Sequence, residues 1–255
     1  MARSSKNQVT TTTTTLALLE AIKENDGATV AELVEHTELA RSTIHNHLQT
    51  LLDAEYLVKE GDTHHVGMKL LNLGEYVRSR NFQFDVARET TKELAESTGL
   101  EASLDMEEHG RAFLMFNHNG TLDDCGFDEG RPIHMHCAAC GNAILAELPE
   151  KRRDEIIDTH GLPEQTEHTI TDREELRQEL EQVQERGFAI NDEESTIGWR
   201  CMSRAITYPD ERVYGSLTLG GPTYIVGGDF DESLRDALFE SVAEIEAALS
   251  DSILG

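Results

Sequence analysis

Arg41, Ser42, Thr43, His45, Asn46 and Gln49 fall within one stretch, residues 40–56, ARSTIHNHLQTLLDAEY. They bring together a guanidinium, two hydroxyls, an imidazole and two amides, the groups that bond phosphate oxygens and base edges. Ile44, Leu48, Leu51 and Leu52 recur on the other side at helical spacing, so the stretch predicts one helix with a buried face and a polar face. A solvated amphipathic helix has the same pattern, and the elements around it decide between the two. A second constellation is Cys137-x2-Cys140, the spacing of a metal knuckle or a redox pair, with His134 and His136 beside it. The chain contains no Walker loop, no G-x-S-x-G and no H-E-x-x-H. The C-x2-C pair lacks the βαβ context of a thiol-disulfide enzyme, so catalysis is not expected.

The elements around residues 40–56 favour binding. TTTTLALLEAIKEND predicts a first helix, with Asp26-Gly27 as its stop. Thr29 and Glu32 have the spacing of a capping box opening a short second helix. A tight turn then leads to the third. Three helices in this order form a helix-turn-helix unit. Two β-prone runs around Gly61-Asp62 follow and predict a hairpin. The sum is a winged helix that places the polar face of the third helix in the major groove. Lys59, His64 and His65 on the wing are candidates for the DNA backbone or minor groove. Arg3 and Lys6, in a polar segment over residues 1–11 expected to be flexible, are within reach of phosphate.

From about Phe82 the pattern changes. Helices are predicted around 82–99, 140–149, 150–161, 171–187 and 231–254, with strands around 111–120, 132–136 and on both sides of Pro209-Asp210. Helices and strands mixed in this order predict an α+β domain with an antiparallel sheet.

The 255 residues carry 49 acidic and 22 basic side chains, for a formal charge of -27. Lysine is scarce, at 6 against 16 arginines. Residues 1–80 hold about 8 bases and 11 acids, so the remainder carries about -24. The least acidic part is the part with the candidate recognition helix. An acidic chain repels nucleic acid in dilute salt, but molar salt shortens the Debye length to about 3 Å and removes most of that repulsion. The composition points to a halophilic, archaeal source. No apolar run approaches the ~20 residues of a membrane helix and the first residues lack an apolar signal core, so a cytoplasmic protein is expected.

The stretch ARSTIHNHLQTLLDAEYLV and the following VGMKLLNLGEYV resemble the DNA-binding domain and linker of IclR-type transcriptional regulators. In the second half, the run from His136 through Cys140-Gly141-Asn142-Ala143 to Leu145-Ala146 resembles the family's histidine, small residues and Gly-Lys-Ala. It departs at Asn142, where lysine is usual, and at Ala138, where a hydroxyl residue is common. Glu194 and Cys201 keep a family spacing of seven, and Gly221-Pro222 matches a Gly-Pro after a strand. The resemblance implies a flexible terminus (1–11), a winged helix-turn-helix (12–66), a linker helix (67–83) and a GAF-like effector-binding domain (84–255).

The resemblance further implies an effector pocket walled by Leu122, Cys125, Ala139, Cys140, Asn191, Cys201, Thr218 and Gly220. The N-terminus of the helix after Cys140 offers backbone N–H groups to a carboxylate or phosphate. If the alignment brings Cys125 and Cys201 to Cys137 and Cys140, four thiolates could hold Zn²⁺. Small, buried packing cysteines are the other reading, and no cofactor is required. The implied function is that of a regulator, repressor or activator, of catabolic operons for sugars or sugar acids. Its partners would be a palindromic operator in double-stranded DNA, a small effector and further copies of itself as a dimer or tetramer. One short recognition helix reads too few base pairs alone.

Overall fold

The computed structural model describes residues 9–80, 83–123, 127–228 and 230–253. Cys125, Arg3 and Lys6, named above, lie outside them. The chain divides into two compact units, residues 1–81 and 82–255.

In the first unit α1 (Thr10–Glu24), α2 (Val30–His36) and α3 (Arg41–Asp53) pack around Leu18, Ile22, Leu33, Ile44 and Leu48, all at most 2% exposed. Each such side chain contributes about 1.5–3 kcal/mol by leaving water. Thr10 and Thr11, placed in the flexible terminus from sequence, form the first turn of α1. The capping box is present: the Thr29 N–H donates to Glu32 Oε2 at 2.7 Å and the Glu32 N–H donates to Thr29 Oγ1 at 3.3 Å. The hairpin strands β2 (Leu57–Glu60) and β3 (Thr63–Val66) form, and a third short strand β1 (Ala28–Thr29) joins β3 antiparallel. Two residues were too short a run to predict. The linker helix α4 (Lys69–Ser79) buries none of its residues.

The second unit is built on one antiparallel sheet of six strands. These are β4 (Glu101–Glu108), β5 (Arg111–His118), β6 (Pro132–His134), β7 (Ala189–Asp192), β8 (Trp199–Thr207) and β9 (Val213–Pro222), in the order β6-β5-β4-β9-β8-β7. One face carries Ala102, Leu104, Met202, Leu217 and Leu219, covered by α5 (Phe84–Thr98) and α9 (Glu232–Ile253). The other face is covered by α6 (Ala139–Glu147), against which α8 (Arg173–Arg186) packs, with α7 (Glu150–His160) alongside. Asp172 is the residue that caps α8, accepting from the Glu174 and Glu175 N–H groups. Gly141 in α6 is required by packing. A Cβ there would sit 2.1 Å from the Met135 carbonyl oxygen in the 3-10 turn Met135–Cys137. Strands β4 and β7 were not predicted, and β4 proves to be central.

Candidate functional site

The first site is the outer face of α3. Ile44, Leu48 and Leu51 turn inward, so Arg41, Ser42, His45, Asn46 and Gln49 are exposed and Thr43 is half-buried. No acidic side chain lies in the first turn, leaving the positive end of the helix dipole open to an anion. Gln49 donates through Nε2 to Asp53 Oδ1 at 2.7 Å and must leave that partner to touch a base. His47, not singled out from sequence, lies 2.8 Å from Thr15 Oγ1 and ties α3 to α1. On the wing Lys59 is exposed and His65 is half-buried.

His64 corrects the sequence reading. Its ring is buried at 4% exposure, with Nδ1 donating to the Ala28 carbonyl at 3.3 Å across the β1–β3 pair. Desolvation lowers its pKa, so it stays neutral and braces the small sheet instead of reaching phosphate.

The second site is a cavity of about 130 Å³ between the sheet and the start of α6. Strand register builds its floor. Glu101 pairs with Gly220, which pairs with Cys201, which pairs with Asn191. In the next row of the same face Ser103, Thr218 and Ser203 are partners. Asp105 stands beside them, since residues i, i+2 and i+4 of a strand share a face. Asp105 Oδ2 accepts from Ser103 Oγ at 2.9 Å and Thr218 Oγ1 at 3.1 Å, and Ser203 Oγ donates to the Leu217 carbonyl. Glu101 is 4% exposed and Asp105 1%. Burial pushes Asp105 up to about 7, against the pull of the two hydroxyls. Burial, then repulsion from Asp105, pushes Glu101 up to about 8.

Phe127 and Trp199 line the wall, edge to face with ring centroids 5.1 Å apart. Arg131 stands exposed at the rim with His134, which desolvation, Arg111 and neighbouring histidines lower to about 4. Of the pocket residues expected from sequence, Ala139, Cys140, Cys201 and Thr218 line the cavity. Leu122, Asn191 and Gly220 do not. Asn191 is fully buried and donates through Nδ2 to the Cys137 carbonyl at 2.5 Å, holding the 3-10 turn on the sheet. Gly220 makes room, because a Cβ there would lie 2.5 Å from Cys201 Cβ. Leu122 is half-buried on the loop after β5. The sequence reading missed Glu101, Ser103, Asp105, Phe127 and Trp199. Alternation of Ala102, Leu104 and Met106 with polar residues in EASLDMEE was the available signal for the first three.

Cys137, Cys140 and Cys201 are buried free thiols. Desolvation pushes Cys137 up to about 12 and raises Cys140 and Cys201 well above the ordinary thiol range. A thiol so held keeps its proton, whereas a reactive or metal-binding one is a thiolate. Among the described residues no three His, Cys, Asp or Glu side chains are grouped as a metal ion requires. Asn142, where the resemblance has lysine, is fully buried with neither amide atom hydrogen-bonded among the described residues. No helix among the described residues is long and apolar enough to cross a membrane.

Comparison with known proteins bears on both sites. The family model "IclR helix-turn-helix domain" matches residues 12–61, and "Bacterial transcriptional regulator IclR C-terminal" matches residues 75–247. The chain is 29% identical over 248 residues to the probable HTH-type transcriptional regulator ArcR of Halobacterium salinarum, covering 95% of this chain and 94% of that protein. It is 27% identical to the transcriptional repressor IclR of Escherichia coli, covering 94% and 90%. The crystal structure of an IclR transcriptional regulator from Alicyclobacillus acidocaldarius superposes with a TM-score of 0.80 at 22% identity, covering 96% of this chain and all (100%) of that one.

Proposed function

The chain belongs to the IclR family of transcriptional regulators, and from that premise we propose how it works. It binds a palindromic operator as a dimer or tetramer through Arg41, Ser42, Thr43, His45, Asn46 and Gln49, with Lys59 and His65 on the flanking backbone. A small effector in the cavity of the second unit shifts the population between DNA-competent and incompetent arrangements. The genes it controls form catabolic operons, with sugar or sugar-acid breakdown as the default. It acts in the cytoplasm of a halophilic archaeon.

The observation that carries this reading is the exposed polar face of α3 on a capped, well-packed three-helix unit, in a chain whose other unit holds a cavity floored by buried acids and hydroxyls. Self-association draws support from α4, where Met68, Leu71 and Tyr76 beside or on the helix are 89%, 63% and 66% exposed. A helix that apolar seeks a partner. The burial of Cys137, Cys140 and Cys201 favours the packing reading over the metal- or thiol-sensing alternative.

The test is to map the tagged protein on its chromosome in concentrated salt, beside an Arg41→Ala variant. Occupancy upstream of a few operons that share an inverted repeat, lost in the variant, supports the reading. Uniform background occupancy for both overturns it.

A further inference from the structure

The floor of the cavity presents a chemical problem that its own residues do not solve. Glu101 and Asp105 are both at least nine-tenths buried and line one small space. Asp105 has two hydroxyl donors. Glu101 has no hydrogen-bond or ion-pair partner among the described residues. A buried carboxyl without a donor is costly, and native proteins retain such groups mainly at functional sites. The lining residues offer one cation, Arg131, and it stands exposed at the rim; His134 is held neutral. The wall beyond the acids is aromatic, the Phe127–Trp199 pair. Carboxylates together with aromatic faces are the surroundings that receive an organic cation, since the ring quadrupole attracts positive charge.

Building on the reading of this cavity as the effector site, we infer that it takes a small molecule bearing a protonated amine. The ammonium is held by the Glu101 and Asp105 carboxylates and walled by Phe127 and Trp199. An ammonium has three donors and no acceptor. It supplies the missing hydrogen bonds, and its charge favours the ionised form of the two acids, which a wholly anionic effector would not. The hydroxyls of Ser195 and Thr196 and the guanidinium of Arg131, also lining the cavity, are then free for the rest of the ligand. A hydroxylated backbone would make it an amino sugar, and a carboxylate facing Arg131 would make it an amino acid. The cavity, at about 130 Å³, is smaller than the roughly 300–1,000 Å³ of drug-sized sites, so the occupant is a small metabolite.

The experiment is calorimetric titration and thermal melting of the full chain at fixed KCl. The amine probes are ethanolamine, alanine and glucosamine; their partners without the amine are ethylene glycol, lactate and glucose, and gluconate is the wholly anionic sugar-acid control. The expected result is that at least one amine binds and raises Tm while its amine-free partner does not. Glu101→Gln and Asp105→Asn, which keep shape and remove charge, should each weaken that binding at least about tenfold. Glucosamine against alanine separates the two sources. Equal or tighter binding of gluconate or lactate, no response to any amine, or unchanged affinity in both variants overturns the inference. If the variants fail to fold, the wild-type panel alone decides. Operator affinity is measured alongside: a carboxylate that alters it removes the amine and leaves the regulator standing, whereas no operator binding at all removes the regulator.

Discussion

At the scale of single residues, the acids of the cavity set a pH dependence. A carboxyl whose pKa is higher folded than unfolded holds a proton in the native state that the unfolded chain has released. Its stabilisation is full below the unfolded pKa and is lost as pH rises through the folded value. Glu101 goes from 4.5 to about 8, Asp105 from 3.8 to about 7 and Glu194 from 4.5 to about 7. His64, His134 and His136, all lowered from 6.5, act in the opposite sense, most strongly below that pH. Between pH 6.5 and 8 the histidine contribution fades, the carboxyls outweigh it, and Tm should fall. The Glu101→Gln/Asp105→Asn double variant should lose most of that fall; a slope unchanged in the variant would place the titrating groups elsewhere. The thiols give a second check. In a Cys125→Ser background, Cys137, Cys140 and Cys201 should react with a thiol reagent at pH 8 only after denaturation, because burial keeps them protonated. Rapid reaction of the native chain would return them to a sensing role.

At the scale of elements, the proposed reading divides specificity from attachment between α3 and the wing. Arg41→Ala at the start of α3 should cost about 1–3 kcal/mol on the operator and little on random DNA, whereas Lys59→Ala should weaken both alike. Competition binding on the two DNAs checks this, and equal losses for Arg41→Ala would make it a phosphate contact. On the proposed reading α4 carries self-association, so Leu73→Glu with Val77→Glu, at exposed positions one turn apart, should give a monomer by light scattering. Operator affinity should then drop about a hundredfold or more, since two half-sites no longer act together. A variant that stays oligomeric would assign the interface to other surfaces. Elements with local signals were legible in the sequence: the Thr29–Glu32 box, the Asp26-Gly27 stop and the Gly61-Asp62 turn all act over a few residues. Strand β4 was not. Its sequence, EASLDMEE, alternates as a strand should, but the polar half of that alternation faces a cavity, and the usual expectation gives it to solvent. The carboxyls of Glu101 and Asp105 look like surface acids until α6 is folded over them. His64 failed for the same reason, because β1, two residues long, covers it. What the sequence could not supply was long-range cover.

At the scale of the whole molecule, charge is the governing quantity. With 49 acids and 22 bases, repulsion within the folded chain outweighs its surface ion pairs, such as those of Arg177 with Glu174 and Glu181. Such exposed pairs are worth little each. Screening therefore removes more destabilisation than stabilisation, and Tm should rise as KCl goes from 0.1 to 2 M, where the Debye length shrinks from about 10 Å to below about 3 Å. NaCl should act alike; a rise confined to one salt would signal specific ion binding instead. The same logic reaches the operator. Each phosphate contact contributes about -0.9 to the slope of log affinity against log salt. The α3 face and wing expose two cations, Arg41 and Lys59. With Lys59 on the backbone and Arg41 on a base edge, a slope of about -1 per winged helix is expected, or about -2 where Arg41 proves to be a phosphate contact, and a regulator with so few phosphate contacts keeps its affinity in salt that strips a basic one from DNA. A much steeper slope would mean that cations outside α3 and the wing carry the attachment. If the slope is shallow, recognition rests on what salt does not screen: the base-edge hydrogen bonds of Asn46 and its neighbours, repeated across two copies of one helix.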